Sequence, residues 1–171
     1  LDEQGQAVKL HYHRLADAIV LMSHRNDSEV AGPAARIAAA AIAGLPDRQI
    51  PFFLINADAG QTRSAVLDAK REQSLSVPVL IDDTGLVSQT LAFTYTGEVL
   101  VVNPRTWEIV YRGPVSETLE ESGENFVALA LDAVLNDEVL PLPVREPAAG
   151  IAIDVIAAPA PAAIANYAQD I

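Results

Sequence analysis

The sequence contains no cysteine among its 171 residues. A chain without cysteine forms no disulfide, provides no thiol nucleophile, and offers no thiolate to zinc or to an iron–sulfur cluster. Catalysis by a thiolate is therefore excluded on composition alone.

Aromatic and basic residues are also scarce. Only 5% of the residues are aromatic while 50% are hydrophobic, so the core must consist mainly of aliphatic side chains. Lysine and arginine number 11 against 23 aspartate and glutamate residues, which gives a formal net charge of -12. This charge repels phosphate backbones and leaves no basic surface for counterion release, so we expect no nucleic-acid partner.

Long hydrophobic runs are missing as well. The longest apolar run extends from Ile37 to Leu45, whereas a membrane-spanning helix needs about 20 apolar residues. We therefore predict no membrane span.

The length suits one domain, because a chain of about 150 residues buries roughly 70% of its unfolded surface. The chain begins at Leu1 rather than at methionine, from which we expect a processed or excised piece of a longer polypeptide.

Apolar segments alternate with helical patterns in the first half of the chain. The runs 18–22 and 50–56 are mostly apolar, as expected for central strands covered on both faces. An alanine-rich helix is predicted between them at 30–43, and a polar helix that ends near Gln73 follows the second run. Strands that alternate with helices indicate a partly parallel sheet with helices on its faces.

Further elements complete this pattern. The sequence predicts a strand at 7–11, a short strand at 77–81, a short helix at 84–92, a hairpin of strands at 98–103 and 107–112, and a helix at 125–135. In the strand at 7–11, Val8 and Leu10 share one face. His11 and His13 share the other face if the strand continues, because side chains two apart on a strand point the same way.

The composition changes from Pro141 onward, where proline, alanine and short apolar residues dominate. Such a composition is typical of an extended linker. We therefore predict one folded domain at 1–150, a boundary near 147–154, and a linker or tail at 151–171 that leads to a further domain.

Two helix starts carry polar residues suited to capping. Asp27 or Ser28 is the expected N-cap of the alanine-rich helix, and Asp82 is expected to cap the short helix that follows it. Pro33 leaves two alternatives open: the helix begins close to it, or the proline ring kinks the first turns.

Five segments together resemble the redoxin branch of the thioredoxin superfamily, the group of alkyl hydroperoxide reductase and thiol-specific antioxidant proteins. These segments are Leu-Asp-Glu-Gln-Gly-Gln at the start, Ile-Val-Leu-Met-Ser at 19–23, Phe-Leu-Ile-Asn-Ala at 53–57, Val-Pro-Val-Leu-Ile-Asp-Asp at 77–83, and the hairpin at 98–114. The resemblance implies an α/β, thioredoxin-like three-layer fold with a central mixed sheet and helices on both faces.

The same resemblance implies a degenerate site. The reactive cysteine of related domains corresponds to Ser28, a common proline corresponds to Glu29, and the cis-proline that faces this loop corresponds to Gly97. The Gly-Cys pair that ends some relatives corresponds to Gly150 and Ile151. A serine hydroxyl has no accessible anion near neutral pH and is not reoxidised as a sulfenate, so it does not replace the thiol. We therefore expect no catalytic residue, no cofactor and no enzyme activity.

The last six residues, 166–171, resemble the entry segment of a c-type cytochrome domain that follows redoxin domains in some periplasmic proteins. This implies a periplasmic or secreted parent protein whose other domains or subunits, a c-type cytochrome among them, are the partners. In such a protein the domain is expected to be a non-catalytic structural or protein-interaction module.

An alternative hypothesis rests on the three histidines, His11, His13 and His24. Three imidazoles suffice for an open copper or zinc site, which would give a metal-binding or thiol-independent redox-related protein that uses the loop after the central strand. Ser28, His24 and Asp27 are also the residue types of a hydrolase triad, but the Gly-x-Ser-x-Gly elbow is absent.

Overall fold

The computed structural model describes residues 1–58, 60–119 and 123–146. The strands are β1 (Ile19–His24), β2 (Phe52–Asn56), β3 (Val79–Ile81), β4 (Val99–Asn103) and β5 (Glu108–Gly113). The helices are α1 (Ala31–Ala43), α2 (Arg63–Glu72), α3 (Leu86–Thr90) and α4 (Phe126–Leu135), and a 3₁₀ turn precedes β1 at Leu10–His13. The predicted boundary at 147–154 and linker at 151–171, with Ile151, lie outside the described residues.

The five strands form one mixed sheet in the order β3-β2-β1-β4-β5. β1, β2 and β3 are parallel, while β4 is antiparallel to both β1 and β5. The carboxyl ends of β1, β2, β3 and β5 therefore lie at one end of the sheet. Parallel strands also require helical crossovers, which α1 and α2 supply.

Two apolar clusters hold the layers together. On one face, α1 and α4 pack on the sheet together with Val66 of α2. On the other face, Phe93 and Leu91, which follow α3, pack on the sheet beside Val8 and Leu10. The predicted α/β thioredoxin-like fold, with a central mixed sheet and helices on both faces, is confirmed.

Helix starts follow the expected chemistry in most cases. Thr62 caps α2 and Asn125 caps α4, each by accepting a backbone N–H bond through its side chain. Asp82 accepts bonds from the N–H groups of α3, as predicted. Pro33 lies in the first turn of α1, where a missing N–H costs nothing because that group has no partner within the helix. The helix therefore begins close to Pro33.

The predicted strand at 7–11 is wrong. Its residues lead into the 3₁₀ turn, which is closed by a bond from the N–H of Tyr12 to the carbonyl of Lys9. The edge of β3 is already taken, because Ile81 donates its N–H to the carbonyl of Leu1 and the Glu3 carboxylate accepts the N–H of Val79.

The opposite edge of the sheet is partly covered as well. Arg112 of β5 donates its N–H to the carbonyl of Pro143, and Arg145 donates its N–H to the carbonyl of Arg112.

The hairpin turn before β5 extends one residue further than predicted, because Trp107 adopts a φ of 62° and the strand begins at Glu108. Across the described ranges no helix has both the length and the apolar character that crossing a membrane requires.

Candidate functional site

The candidate site lies at the end of the sheet where β1, β2 and β3 terminate. In open α/β sheets, this end collects polar and ligand-binding groups. Here the loop 25–30 follows β1, the segment 94–98 precedes β4, and the loop 114–119 follows β5. These three segments surround the start of α1.

Ser28 caps the first turn of α1 with its side chain. It is 5% exposed, and its hydroxyl oxygen accepts bonds from the N–H groups of Ala31 at 3.1 Å and Val30 at 3.3 Å. Glu29, the next residue, is exposed. The hydroxyl is therefore held as a hydrogen-bond acceptor at the helix start, where unpaired N–H groups favour an electron-rich partner.

Asp27, the other candidate for the cap, does not take that role. Its carboxylate accepts a bond from the guanidinium of Arg25 at 3.2 Å. The hydrogen bond with Arg25 holds the pKa of Asp27 below its ordinary value. The loop is thus fixed by a local ion pair as well as by the serine cap.

Gly97, which the sequence analysis assigned to the cis-proline position, lies beside Val30 at the start of α1. It adopts a φ of 89°, and a Cβ added to it would lie 3.3 Å from Cγ1 of Val30. Its N–H donates to the carbonyl of Ser23 at 3.0 Å. The left-handed backbone and the close approach to Val30 both favour glycine here.

Ser23 ties β1 to the segment before β4. Its hydroxyl donates to the carbonyl of Tyr95 at 2.6 Å and accepts the N–H of Glu98 at 3.0 Å. Its own N–H donates to the carbonyl of Glu98. These bonds fix the position of Gly97 relative to the loop that follows β1.

A buried ion pair anchors the same segment from the other side. The guanidinium of Arg112 lies 2.7 Å from the Glu98 carboxylate and also donates to the carbonyls of Leu91 and Ala92. The second carboxylate oxygen of Glu98 accepts the N–H of Thr94 at 2.7 Å. Since Glu98 is almost fully buried, both of its oxygens depend on these donors.

His24 ends β1 and is buried beneath the end of α2. Its Nε2 lies 3.3 Å from Oε1 of Gln73, while Nε2 of Gln73 donates to the carbonyl of Asn26. Because Gln73 offers its oxygen to the ring, Nε2 of His24 must be the protonated nitrogen. Nδ1 is buried and has no hydrogen-bond partner among the described residues.

A chain of amides extends this contact across the carboxyl ends of the strands. Asn56 donates to Oδ1 of Asn26 at 2.9 Å, and Asn26 donates to Gln61 at 2.9 Å. Gln61 in turn donates to Asp58. The loop 25–30 is therefore connected to the ends of β2 and α2 by polar contacts.

The three histidines do not come together. His13 packs its ring against Phe53 on one face of the sheet, at a centroid distance of 5.4 Å, whereas His24 shares the opposite face with Gln73. His11 contacts Tyr12. Within the described ranges, no three His, Cys, Asp or Glu side chains are grouped as a metal site requires. The hypothesis of a shared metal site for the three histidines depended on a strand at 7–11, and those residues do not form a strand.

The triad arrangement of His24, Asp27 and Ser28 is not formed either. His24 bonds Gln73, Asp27 bonds Arg25, and Ser28 accepts backbone N–H groups. Each side chain is thus committed to a structural partner.

A cleft opens beside the start of α1, and we call it the α1 cleft. It has a volume of about 400 Å³. It is lined by Val30, Ala34, Tyr95, Gly97 and the loop 114–119. A second cavity of about 570 Å³ shares Leu119 with it and extends along α1 past Pro33, Arg36, Ile37 and Ala40. Most of the lining is apolar, and Leu119 is 41% exposed.

Acid should destabilise the fold through His24. Burial lowers the pKa of His24 from its ordinary 6.5, against smaller raising effects from Gln73 and Asp27. The unfolded chain therefore binds a proton at higher pH than the folded chain, so the free energy of unfolding decreases as pH falls below 6.5 toward the lower folded-state pKa.

The test is urea unfolding of wild type, His24→Gln and His11→Gln across this pH range. We expect His24→Gln to flatten the pH dependence, whereas His11→Gln, which alters an exposed ring, should leave it unchanged. An identical slope in wild type and His24→Gln would contradict this assignment.

Several residues of this region were not anticipated from the sequence. Glu98 and Arg112 belong to predicted strands and give no signal of their pairing. Gln73 was expected only as a helix end. Asn56 did carry a signal, because a polar residue directly after a buried parallel strand lies at the edge where sites form.

Comparisons with known proteins locate this fold. No protein-family model and no curated protein sequence matches the chain. A hypothetical protein of known structure from Sinorhizobium meliloti 1021 matches with a TM-score of 0.70 at 19% identity, covering 91% of this chain and 87% of that one.

Two further structures have functional descriptions. The thioredoxin domain of a thiol-disulfide oxidoreductase from Bacteroides vulgatus matches with a TM-score of 0.63 at 12% identity, covering 80% of this chain and 91% of that one. The bacterioferritin comigratory protein of Xanthomonas campestris, described for its alkyl peroxide reduction activity, matches with a TM-score of 0.55 at 12% identity, covering 80% and 86%. The chain therefore has a thioredoxin-like fold in common with these redox proteins, but it contains no cysteine.

Proposed function

We propose that this chain is a non-catalytic thioredoxin-like domain that acts as a protein-interaction module. The observation that carries the proposal is the hydrogen bonding of the Ser28 hydroxyl. This hydroxyl lies at the mouth of α1, where the resemblance to redoxins implies a thiol, and accepts hydrogen bonds from two backbone N–H groups. A side chain that caps the helix in this way supports the fold rather than a reaction.

The α1 cleft is the surface that we assign to binding. It retains an apolar wall from Val30 and Ala34 on α1 and a second wall from Val115 and Leu119 on the facing loop. The bonds of Ser23 and Glu98 hold Gly97 in position beside it. A preformed apolar cleft with few polar groups is the common form of a binding site.

The wider setting belongs to the same proposal. We place the domain in an exported redox protein whose other domains or subunits, including a c-type cytochrome, are its partners. The resemblance of residues 166–171 to a cytochrome entry segment supports this setting. Mass and visible absorbance of the parent polypeptide test it. A longer chain with a haem Soret band is expected, and a colourless parent without a haem-attachment segment would contradict the setting.

Absence of catalysis is tested directly. The purified chain is expected to reduce neither hydrogen peroxide nor insulin disulfides faster than buffer in the presence of dithiothreitol. Activity above the buffer control would overturn the non-catalytic assignment.

Binding is tested by panning a random peptide library against the purified chain and measuring the affinity of selected peptides. Leu119→Gln removes an exposed apolar side chain from the α1 cleft and should weaken binding by about tenfold, or about 1.4 kcal/mol. Leu129→Gln is the matched control, because Leu129 is also 41% exposed but lies on α4 outside the cleft. Equal affinity for both variants, or no selected peptide, would reject the α1 cleft as the binding surface.

A further inference from the structure

The α1 cleft has an acidic side chain in its lining. Among the described residues that line it, Glu117 is the one that carries a charge, and it is exposed. Glu124 lies beside it, because Glu117 donates its N–H to the carbonyl of Glu124 at 3.0 Å. Exposed Glu29 directly precedes Val30 on the opposite wall. Glu117 therefore lies in the cleft lining, and two further exposed glutamates neighbour residues of that lining along the backbone.

Among the described residues, the ion pairs involve other acidic side chains and none involves Glu29, Glu117 or Glu124. The formal net charge of -12 adds to the negative potential at the mouth. An occupant with positive charge is therefore favoured here, and an acidic occupant is repelled.

The second cavity, which extends along α1 from Leu119, has a basic residue in its lining. Arg36 lines the second cavity, where it donates to the backbone carbonyl of Gln73 at 3.0 Å. An occupant that follows α1 would therefore place its cationic side chain beside Glu117 and an uncharged segment beside Arg36. The positions of Glu117 and Arg36 therefore favour one orientation of the occupant along α1 as well as a positive charge on it.

We propose that the α1 cleft binds a cationic, otherwise apolar peptide segment of a partner protein, with a lysine or arginine beside Glu117 and an apolar side chain between Val30 and Val115. The segment is held without a covalent bond. This inference rests on the proposed interaction function and adds the chemistry of the partner.

The probes are three labelled peptides of equal length, Gly-Lys-Val-Ala-Lys-Val-Ala-Gly and its counterparts with glutamate or glutamine in place of lysine. Fluorescence anisotropy should show that the lysine peptide binds at least about tenfold tighter than the glutamate peptide. The affinity of the lysine peptide should fall as salt increases from about 0.1 M to about 1 M, because the Debye length then shortens from about 10 Å to about 3 Å.

Glu117→Gln should weaken binding of the lysine peptide by about threefold to tenfold. Glu108→Gln removes the same charge from an exposed position at the opposite end of β5, and it should leave the affinity unchanged. Thermal unfolding of both variants confirms that each is folded.

Three outcomes overturn the inference. Equal binding of all three peptides, lost in Leu119→Gln, rejects a cationic partner but leaves the interaction function in place. If Glu117→Gln and Glu108→Gln weaken binding of the lysine peptide equally, the binding is non-specific charge attraction. Failure of every probe peptide also rejects the inference, and the library selection then decides the proposed function separately.

Discussion

Replacing Arg112 by alanine should destabilise the folded chain by about 3 kcal/mol, which is the lower end of the cost of removing one partner from a buried ion pair. The lower end applies because 23% of the Arg112 side chain is exposed, against 2% for Glu98. The change leaves one oxygen of the Glu98 carboxylate without its donor. It also removes the donors of the carbonyls of Leu91 and Ala92.

Urea unfolding measures this effect, and two further variants identify its cause. Adding Glu98→Gln to Arg112→Ala should restore part of the loss, since the remaining side chain is then uncharged. Arg105→Ala removes an arginine that pairs with Asp137 at 3.8 Å and is 66% exposed, so it should cost less than about 1 kcal/mol. A loss for Arg112→Ala no larger than that for Arg105→Ala would show that the ion pair contributes little.

Installing a thiol at the helix mouth should produce a reactive cysteine. In Ser28→Cys the sulfur takes the place of an oxygen that accepts the N–H groups of Val30 and Ala31. Hydrogen bonds and the partial positive charge of the helix start favour the thiolate, while burial opposes it. Because two donors already point at this position, we expect stabilisation of the anion to prevail and the thiol pKa to fall below the ordinary value of about 8.5 by about one unit or more.

Ultraviolet absorbance of the thiolate measures this pKa without a bulky reagent. Ser76→Cys is the reference, since Ser76 is exposed in the loop before β3. A pKa for Ser28→Cys equal to or above that of Ser76→Cys would show that burial dominates at the mouth of α1. A lowered pKa would show that the loop retains the electrostatics of a thiol site without containing a thiol.

The elements that were predicted correctly share a local cause. β1 and β2 are short apolar runs of the kind expected for strands covered on both faces, and the capping of α3 depends on the single side chain of Asp82. The strand at 7–11 was wrong because two alternating apolar residues, Val8 and Leu10, are equally consistent with an irregular segment packed on a sheet.

The parts of the site that were missed depend on long-range contacts. Glu98 meets Arg112 because the β4–β5 register pairs Arg112 with Leu100, two residues after Glu98. His24 meets Gln73 because α2 connects β2 and β3 across the sheet. Such pairs are determined by the packing of whole elements, and the amino-acid pattern around each residue gives no sign of its partner.

The cover over the two outer strands has a consequence for the behaviour of the protein at high concentration. Exposed strand edges are templates on which further copies of a chain add, and this is how sheets grow into fibrils. Here Leu1 and Glu3 occupy hydrogen-bonding positions on β3, and Pro143 and Arg145 occupy positions on β5. These two segments thus cover part of each outer strand, and we expect that shortening either segment exposes more of an edge on which aggregation can begin.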